Sequence, residues 1–187
     1  MKVILRLVGA GILVTLLSAC SSVAPKYNTN FDNVEKLRGS KLESVAVGTV
    51  TKSDKGNDVD RLTIRGGAYK SPNGSYAAYL QEAMRQELAD ARLLDPTSQL
   101  ELSGVLLRNE LDGSGVSIGF AEIEARFVVK RAGAVRFDKV KAARHEWESS
   151  FVGAVAIPAA QQNYPIVVQK LLTTLYSDPD FRKALSN

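Results

Sequence analysis

Apolar residues between positions 76 and 91 recur three and four apart: Ala77, Leu80, Ala83, Met84, Leu88 and Ala91. Gln81, Glu82, Arg85, Gln86 and Asp90 occupy the other side. This period predicts an amphipathic helix of about five turns. Ser71-Pro72-Asn73-Gly74-Ser75 supplies turn residues and then an N-cap, and Asp95-Pro96 closes the segment. From residue 99 the period changes to two. Leu100, Leu102 and Leu106 take one side of a strand, and Glu101, Ser103 and Val105 the other. Residues 120–130 alternate again, Ala121, Ile123, Ala125, Phe127 and Val129 opposing Glu122, Glu124, Arg126 and Lys130. Arg131-Ala132-Gly133-Ala134 turns the chain, and residues 135–151 return as the second arm of a hairpin.

The remaining elements are weaker. Residues 41–51 hold Ser-Val-Ala-Val-Gly-Thr-Val, expected as the first strand, and 61–69 form a short strand or an ordered crossing. Residues 152–162 are expected as loop. Pro165 then opens a second helix with Ile166, Val167, Leu171, Leu172, Leu175 and Tyr176 as its apolar members. Asp178-Pro179 breaks it, and Phe181 and Leu185 dock a last turn. The order predicts an α+β fold in a single domain. A mainly antiparallel sheet would carry two α-helices packed on one face. The opposite face would then hold Glu122, Glu124 and Arg126, with Glu101 and Ser103 from the neighbouring strand. Those five residues are the candidate partner-binding face; the plainer alternative is a solvated charge ladder.

Residues 1–20 follow a different logic. Lys2 and Arg6 precede an apolar run interrupted by Gly9 and Gly11, and Leu17-Ser18-Ala19-Cys20 ends it, with no acidic residue before it. The run is shorter than the roughly 20 residues that cross a hydrocarbon core, so it reads as a leader. The last four residues resemble the bacterial lipobox, where cleavage precedes a diacylated cysteine. Alternatives are an ordinary secretory leader cut later, for example after Ala24, or a buried strand. A cysteine suits acylation because its thiolate takes the lipid through a thioether. Each buried methylene adds about 0.8 kcal/mol of membrane affinity. Ser21 and Ser22 resemble the pattern for onward transport to the outer membrane. Residues 1–19 are therefore expected as signal, 20–40 as lipidated cysteine and flexible tether, and 41–187 as the periplasmic domain.

Composition narrows the chemistry. The 187 residues shorten to 168 without the leader, enough for one domain with a sizeable core. Lys2 and Arg6 leave with it, so 24 basic residues become 22 against 20 acidic ones, and +4 becomes +2. That balance gives no reason to expect nucleic acid, which calls for a clustered basic patch. Cys20 is the only cysteine and His145 the only histidine. A lipidated Cys20 leaves no thiol for a disulfide, a zinc site or a nucleophile. Arg144 and Glu146 point away from His145 on a strand, so neither neighbour holds it for a triad. The acidic loop at 51–60 lacks the ligand spacing of an EF-hand. Residues 113–119 are glycine-rich but lead into a strand, whereas a phosphate loop leads into a helix N-terminus. Trp147, Phe151 and Tyr79 are expected in the core. No metal, cofactor or catalytic residue is expected.

The helix segment Tyr79-Leu80-Gln81-Glu82-Ala83-Met84, the strand Leu100-Glu101-Leu102, the hairpin around Gly133 and residues 147–154 carry a resemblance over 76–185. The chain resembles the small Gram-negative outer-membrane lipoproteins of the YajG-like type. More loosely it is similar to the lipopolysaccharide-assembly and transport-auxiliary lipoproteins. This implies a compact α/β domain on an envelope lipoprotein, with no catalytic residues to carry over. The expected function is a non-enzymatic accessory of envelope assembly, transport or structure. It would be anchored to the outer membrane through Cys20, face the periplasm and bind an envelope protein. The alternative is a carrier holding a lipid or glycan fragment between helices and sheet. A hydrolase would need a nucleophile–base pair, and none is legible.

Overall fold

The computed structural model describes residues 21–56 and 58–186. The leader and Cys20 lie outside the described residues, and so do the expected cleavage and acylation. The elements run β1 (Ser22–Val23), α1 (Phe31–Arg38), β2 (Ala46–Lys52), β3 (Leu62–Ile64), β4 (Gly67–Lys70) and α2 (Tyr76–Asp90), then β5 (Leu100–Asp112), β6 (Ile118–Arg131), β7 (Ala134–Glu148), α3 (Gly153–Tyr176) and α4 (Pro179–Ala184). Two sheets result, one ordered β2-β5-β6-β7 and a small one ordered β1-β4-β3.

The fold is α+β, and antiparallel pairs predominate, but both sheets are mixed rather than purely antiparallel. β5, β6 and β7 are antiparallel, while β2 runs parallel to β5. The physical reason is the connection: β2 reaches β5 through a crossover that includes α2, and a helical crossover returns the chain in the same direction. Two-residue turns close the β3–β4 and β6–β7 hairpins. Arg65 and Gly66 join β3 to β4 with φ of 53° and 80°, and Ala132 and Gly133 join β6 to β7 with 47° and 86°. Positive φ at both central residues matches the right-handed twist of the flanking strands.

Four helices form where two were expected. α2 begins as predicted, with the Ser75 hydroxyl accepting from Ala78 N at 3.0 Å. It spans 15 residues and stops before Ala91, about a turn short of the expected length. α2 and α3 lie side by side on one face of the large sheet. Leu80, Ala83, Met84 and Leu88 from α2 and Val167, Val168, Leu171, Leu172 and Leu175 from α3 are fully buried there. They meet Leu102, Leu106, Ala121, Ala125, Phe127 and Val129, also fully buried. α3 starts twelve residues before Pro165 and contains both Pro158 and Pro165. Each proline forfeits one helix hydrogen bond. Ala156, Ala160, Tyr164, Val168 and Leu172 nevertheless continue a four-residue spacing, and all are buried. Burial of that stripe outweighs the two missing bonds. α4 follows Asp178-Pro179 as expected and buries Phe181.

Residues 22–38 differ from the expected tether because they belong to the folded body. β1 pairs in parallel with β4, and Ala24, Tyr27, Asn33, Val34 and Leu37 are buried. The contact is polar at its centre. The buried carboxylate of Glu87 on α2 accepts from Tyr27 Oη at 2.6 Å, Asn30 N at 3.0 Å and Asn33 Nδ2 at 3.1 Å. Asn33 also reaches α3, donating to Gln169 O at 3.1 Å and accepting from Thr173 Oγ1 at 2.7 Å. Polar Asn-rich sequence reads as linker, but here it satisfies a buried acid that would otherwise have no partner.

Candidate functional site

The uncovered face of the large sheet is assembled by cross-strand register. Glu122 lies between Glu110 on β5 and Arg144 on β7, Glu124 between Arg108 and Ala142, and Arg126 between Val105 and Val140. Ser103 opposes Val128, and Glu101 opposes Lys130. All five expected residues, Glu101, Ser103, Glu122, Glu124 and Arg126, therefore share this face. Glu101 folds over Gly48 of β2, where an added Cβ would come within 2.8 Å of its carboxyl carbon.

Sequence alternation misses the residues that organise the charges. β5 carries a bulge between Leu106 and Arg108. Leu107 is the extra residue, and it turns Arg108 and Glu110 outward while Asn109 becomes buried. Strict alternation from Leu100 would give the reverse. Arg108 then grips Glu110 through Nε and Nη2 at 2.8 and 2.7 Å, and Glu122 through Nη1 at 2.8 Å. Arg144 donates to the other oxygen of Glu122 at 3.2 Å and to Glu146 at 2.9 Å. Its guanidinium lies 3.8 Å from the Phe120 ring centroid. Glu110 and Glu122 are like charges directly opposite one another, and Arg108 makes that pairing tolerable. The Arg108 bond holds the Glu110 carboxyl below its usual range. Arg126 forms a separate pair with Asp138 on β7, with Nε at 2.6 Å, and this bond likewise lowers the Asp138 pKa. Glu124 makes no ion pair among the described residues. Glu101 makes none either, so the face is an ordered grid around Glu122 with more than one acid uncommitted. Beside Glu110 and Phe120 it opens into a shallow cleft of about 450 Å³, bounded across the gap by Asp58, Arg61 and Thr63.

The other candidates settle differently. The interval between helices and sheet, where a carrier would hold its ligand, is filled by Leu80, Met84, Leu106, Phe127 and Leu171, all without exposure. His145 is half-buried, with Nε2 2.8 Å from Asn163 Oδ1 and Nδ1 2.9 Å from Lys170 Nζ. It packs against α3, where its ring nitrogens meet Asn163 and Lys170 rather than a hydroxyl or thiol. Residues 113–117 link two strands, so their backbone is a turn. In the acidic loop Lys52 Nζ lies 3.4 Å from both Asp58 and Asp60. No group of three or more His, Cys, Asp or Glu among the described residues is placed to hold a metal. Tyr79 and Trp147 are buried as expected, but Phe151 is 76% exposed.

No protein-family model matches the chain, and no curated protein matches it in sequence. Solved structures do. A protein from Xanthomonas campestris assigned to the family DUF330 superimposes with a TM-score of 0.54 at 15% identity, over 82% of this chain and 92% of that one. A minor lipoprotein from Acinetobacter baumannii gives 0.42 at 10% identity, over 77% and 95%. The first likeness establishes a shared fold. Among the described residues no helix is long and apolar enough to cross a membrane.

Proposed function

We propose that the protein is a non-enzymatic accessory lipoprotein of the outer membrane, held by acylated Cys20, that receives an envelope protein on its uncovered sheet face. One observation carries the reading: every helix that packs on the large sheet lies on the same side, and the other side presents a fixed grid of charge. Such a surface costs the monomer little, since water solvates it, and it gives an approaching partner a defined register. The leader, the lipobox and the resemblance to YajG-like lipoproteins support the anchor and the compartment. The filled interval between helices and sheet favours an accessory over a lipid or glycan carrier.

Glu124→Lys is the test, because Glu124 lies on β6 between Arg108 and Ala142 and makes no ion pair among the described residues. Folding should change by surface-level amounts, within about 0.5 kcal/mol. A complex recovered by crosslinking in the native envelope should weaken, most at low salt. An unchanged yield at every salt concentration would place the partner elsewhere.

A further inference from the structure

Among the described residues, most of the large apolar side chains that are exposed gather at one end. Phe151 is 76% exposed, Val116 71%, and Ile118, Val152 and Val155 each more than half. They come from two segments held side by side. Ser149 N donates to Ser117 O at 2.8 Å, Ile118 pairs with Glu148, and Arg65 Nη2 donates to Ser150 O at 2.6 Å. Val152 then begins α3, its carbonyl accepting from Val155 N at 2.9 Å. Residues 112–118 and 149–158 contain a single ionisable side chain, Asp112.

The start of the chain leads to the same end. Gln169 Nε2 donates to Asn28 O at 2.8 Å. Further back, Val23 and Pro25 share a surface hollow with Pro158, Gln161 and Gln162. Between Asn28 and Val23 the chain therefore travels along α3 from Gln169 to Pro158, about 16 Å toward the N-terminus of that helix. It points at Val155, Val152 and Phe151, and Cys20 follows within three residues of Val23.

We propose that this end is a membrane seat: Val116, Ile118, Phe151, Val152 and Val155 rest in the boundary between lipid headgroups and acyl chains of the bilayer that holds Cys20. The inference rests on Cys20 being acylated. Contiguous exposed apolar surface marks protein or membrane contact. Sparse charge favours lipid, because a charge carried deep into a bilayer is costly. Asp112 is the one ionisable residue of the two segments. Arg65, on the Gly115 and Ser150 carbonyls, and Glu148, opposite Ile118, flank the apolar side chains where headgroups would lie. Seating here fixes the orientation of the domain. The β6–β7 turn at Ala132 and Gly133 lies at the far end of the strands from Ile118, so it stands away from the lipid and the sheet face stays open to a partner.

The chain carries its own probe. Trp147 is its only tryptophan, and an added Cβ at Gly119, next to Ile118, would sit 2.7 Å from the Trp147 ring. The full mature protein is reconstituted into phosphatidylethanolamine–phosphatidylglycerol vesicles whose acyl chains are brominated. Wild-type Trp147 should be quenched, and Phe151→Glu with Val155→Glu should lose the quenching while keeping its circular dichroism. Mass spectrometry of Cys20 reads the anchor separately. A chain without acyl mass overturns the anchor and this seat together. An acylated chain with no quenching, or with quenching the variant retains, overturns the seat alone. A dimer that the two substitutions dissolve, without quenching, assigns the patch to a second copy and also overturns it.

Discussion

The hydroxyl of Tyr27 donates a 2.6 Å hydrogen bond to the fully buried carboxylate of Glu87, from 60 residues away in sequence. It joins the start of the folded body to the middle of α2. Burial pushes the Glu87 pKa up, and the hydrogen bonds from Tyr27, Asn30 and Asn33 only partly offset this. Burial, together with the neighbouring Glu87 charge, also drives the Tyr27 hydroxyl well above its ordinary value, so it remains a donor.

Glu87 should therefore make stability fall as pH rises. A carboxyl whose folded pKa exceeds its unfolded one contributes fully below the ordinary value of 4.5 and loses that contribution as pH climbs through the folded pKa. Urea melts of wild type and Glu87→Gln from pH 4 to pH 7 should show the difference moving in the variant's favour as pH increases. A constant difference would mean that Glu87 titrates normally. Glu87→Ala should be worse at every pH, since each buried donor left without an acceptor costs about 1–3 kcal/mol.

Asp178 should act in the opposite direction. It caps α4 by accepting from Asp180 N at 2.8 Å, and it binds both Lys139 and Lys141 of β7. Burial raises its pKa, but the Lys141 and Lys139 bonds outweigh burial and hold it well below the ordinary 3.8. Its contribution is present above that ordinary value and is lost as pH falls through the lower folded one. Asp178→Asn, which can still cap the helix, should flatten the acid limb of the stability profile below about pH 4 and lower neutral-pH stability.

Gln81 should matter although it lies on the polar side of the periodic pattern. Its Oε1 accepts from Val50 N at 3.2 Å on the edge strand β2. Gln81→Ala should cost about 1 kcal/mol, while Gln81→Glu, which keeps an acceptor, should cost less. Leu80→Ala and Leu172→Ala, both in the layer between helices and sheet, should cost about 2–5 kcal/mol each. Equal melting temperatures for Gln81→Ala and Leu80→Ala would contradict the packing.

Gly119 should tolerate no methyl group. It pairs across the strands with Trp147, whose ring occupies the space a Cβ needs. Gly119→Ala should destabilise by about 1–3 kcal/mol and shift the emission of the only tryptophan. An unchanged spectrum and melt would show that the ring has room to move.

Arg108→Ala should expose the repulsion it now masks. Glu110 and Glu122 are directly opposed, so the variant should melt at a lower temperature at low salt and recover as salt is added. Because Glu122 sits between Arg108 and Arg144, Glu122→Lys should be more costly than Glu124→Lys. Double reversal of both acids is thus a less clean test of binding than Glu124→Lys alone.

The sequence by itself determined whatever depends on local period and local caps. The stripe from Ala77 to Leu88 specified α2 and its buried side, Ser75 its start, and alternation from Ala121 to Lys130 the two faces of β6. The candidate face was legible for Glu101, Ser103, Glu122, Glu124 and Arg126 for that reason. Glu87 also left a signal: it falls three residues after Met84 and four before Ala91, inside the apolar stripe, where a lone acid requires buried donors. Tertiary structure decided the rest. Only pairing with β6 places the bulge at Leu107 that turns Arg108 and Glu110 outward. Only the crossover through α2 makes β2 parallel. Two prolines and an alanine-rich start hid the first twelve residues of α3, whose small side chains gain their stability from the sheet beneath them. Asn-rich residues 28–33 became part of the body because a buried carboxylate 54 residues or more away needed their donors. Backbone preference is local, whereas the cost of an unpaired buried group is set by its neighbours in space, and those neighbours exist only once the chain has folded.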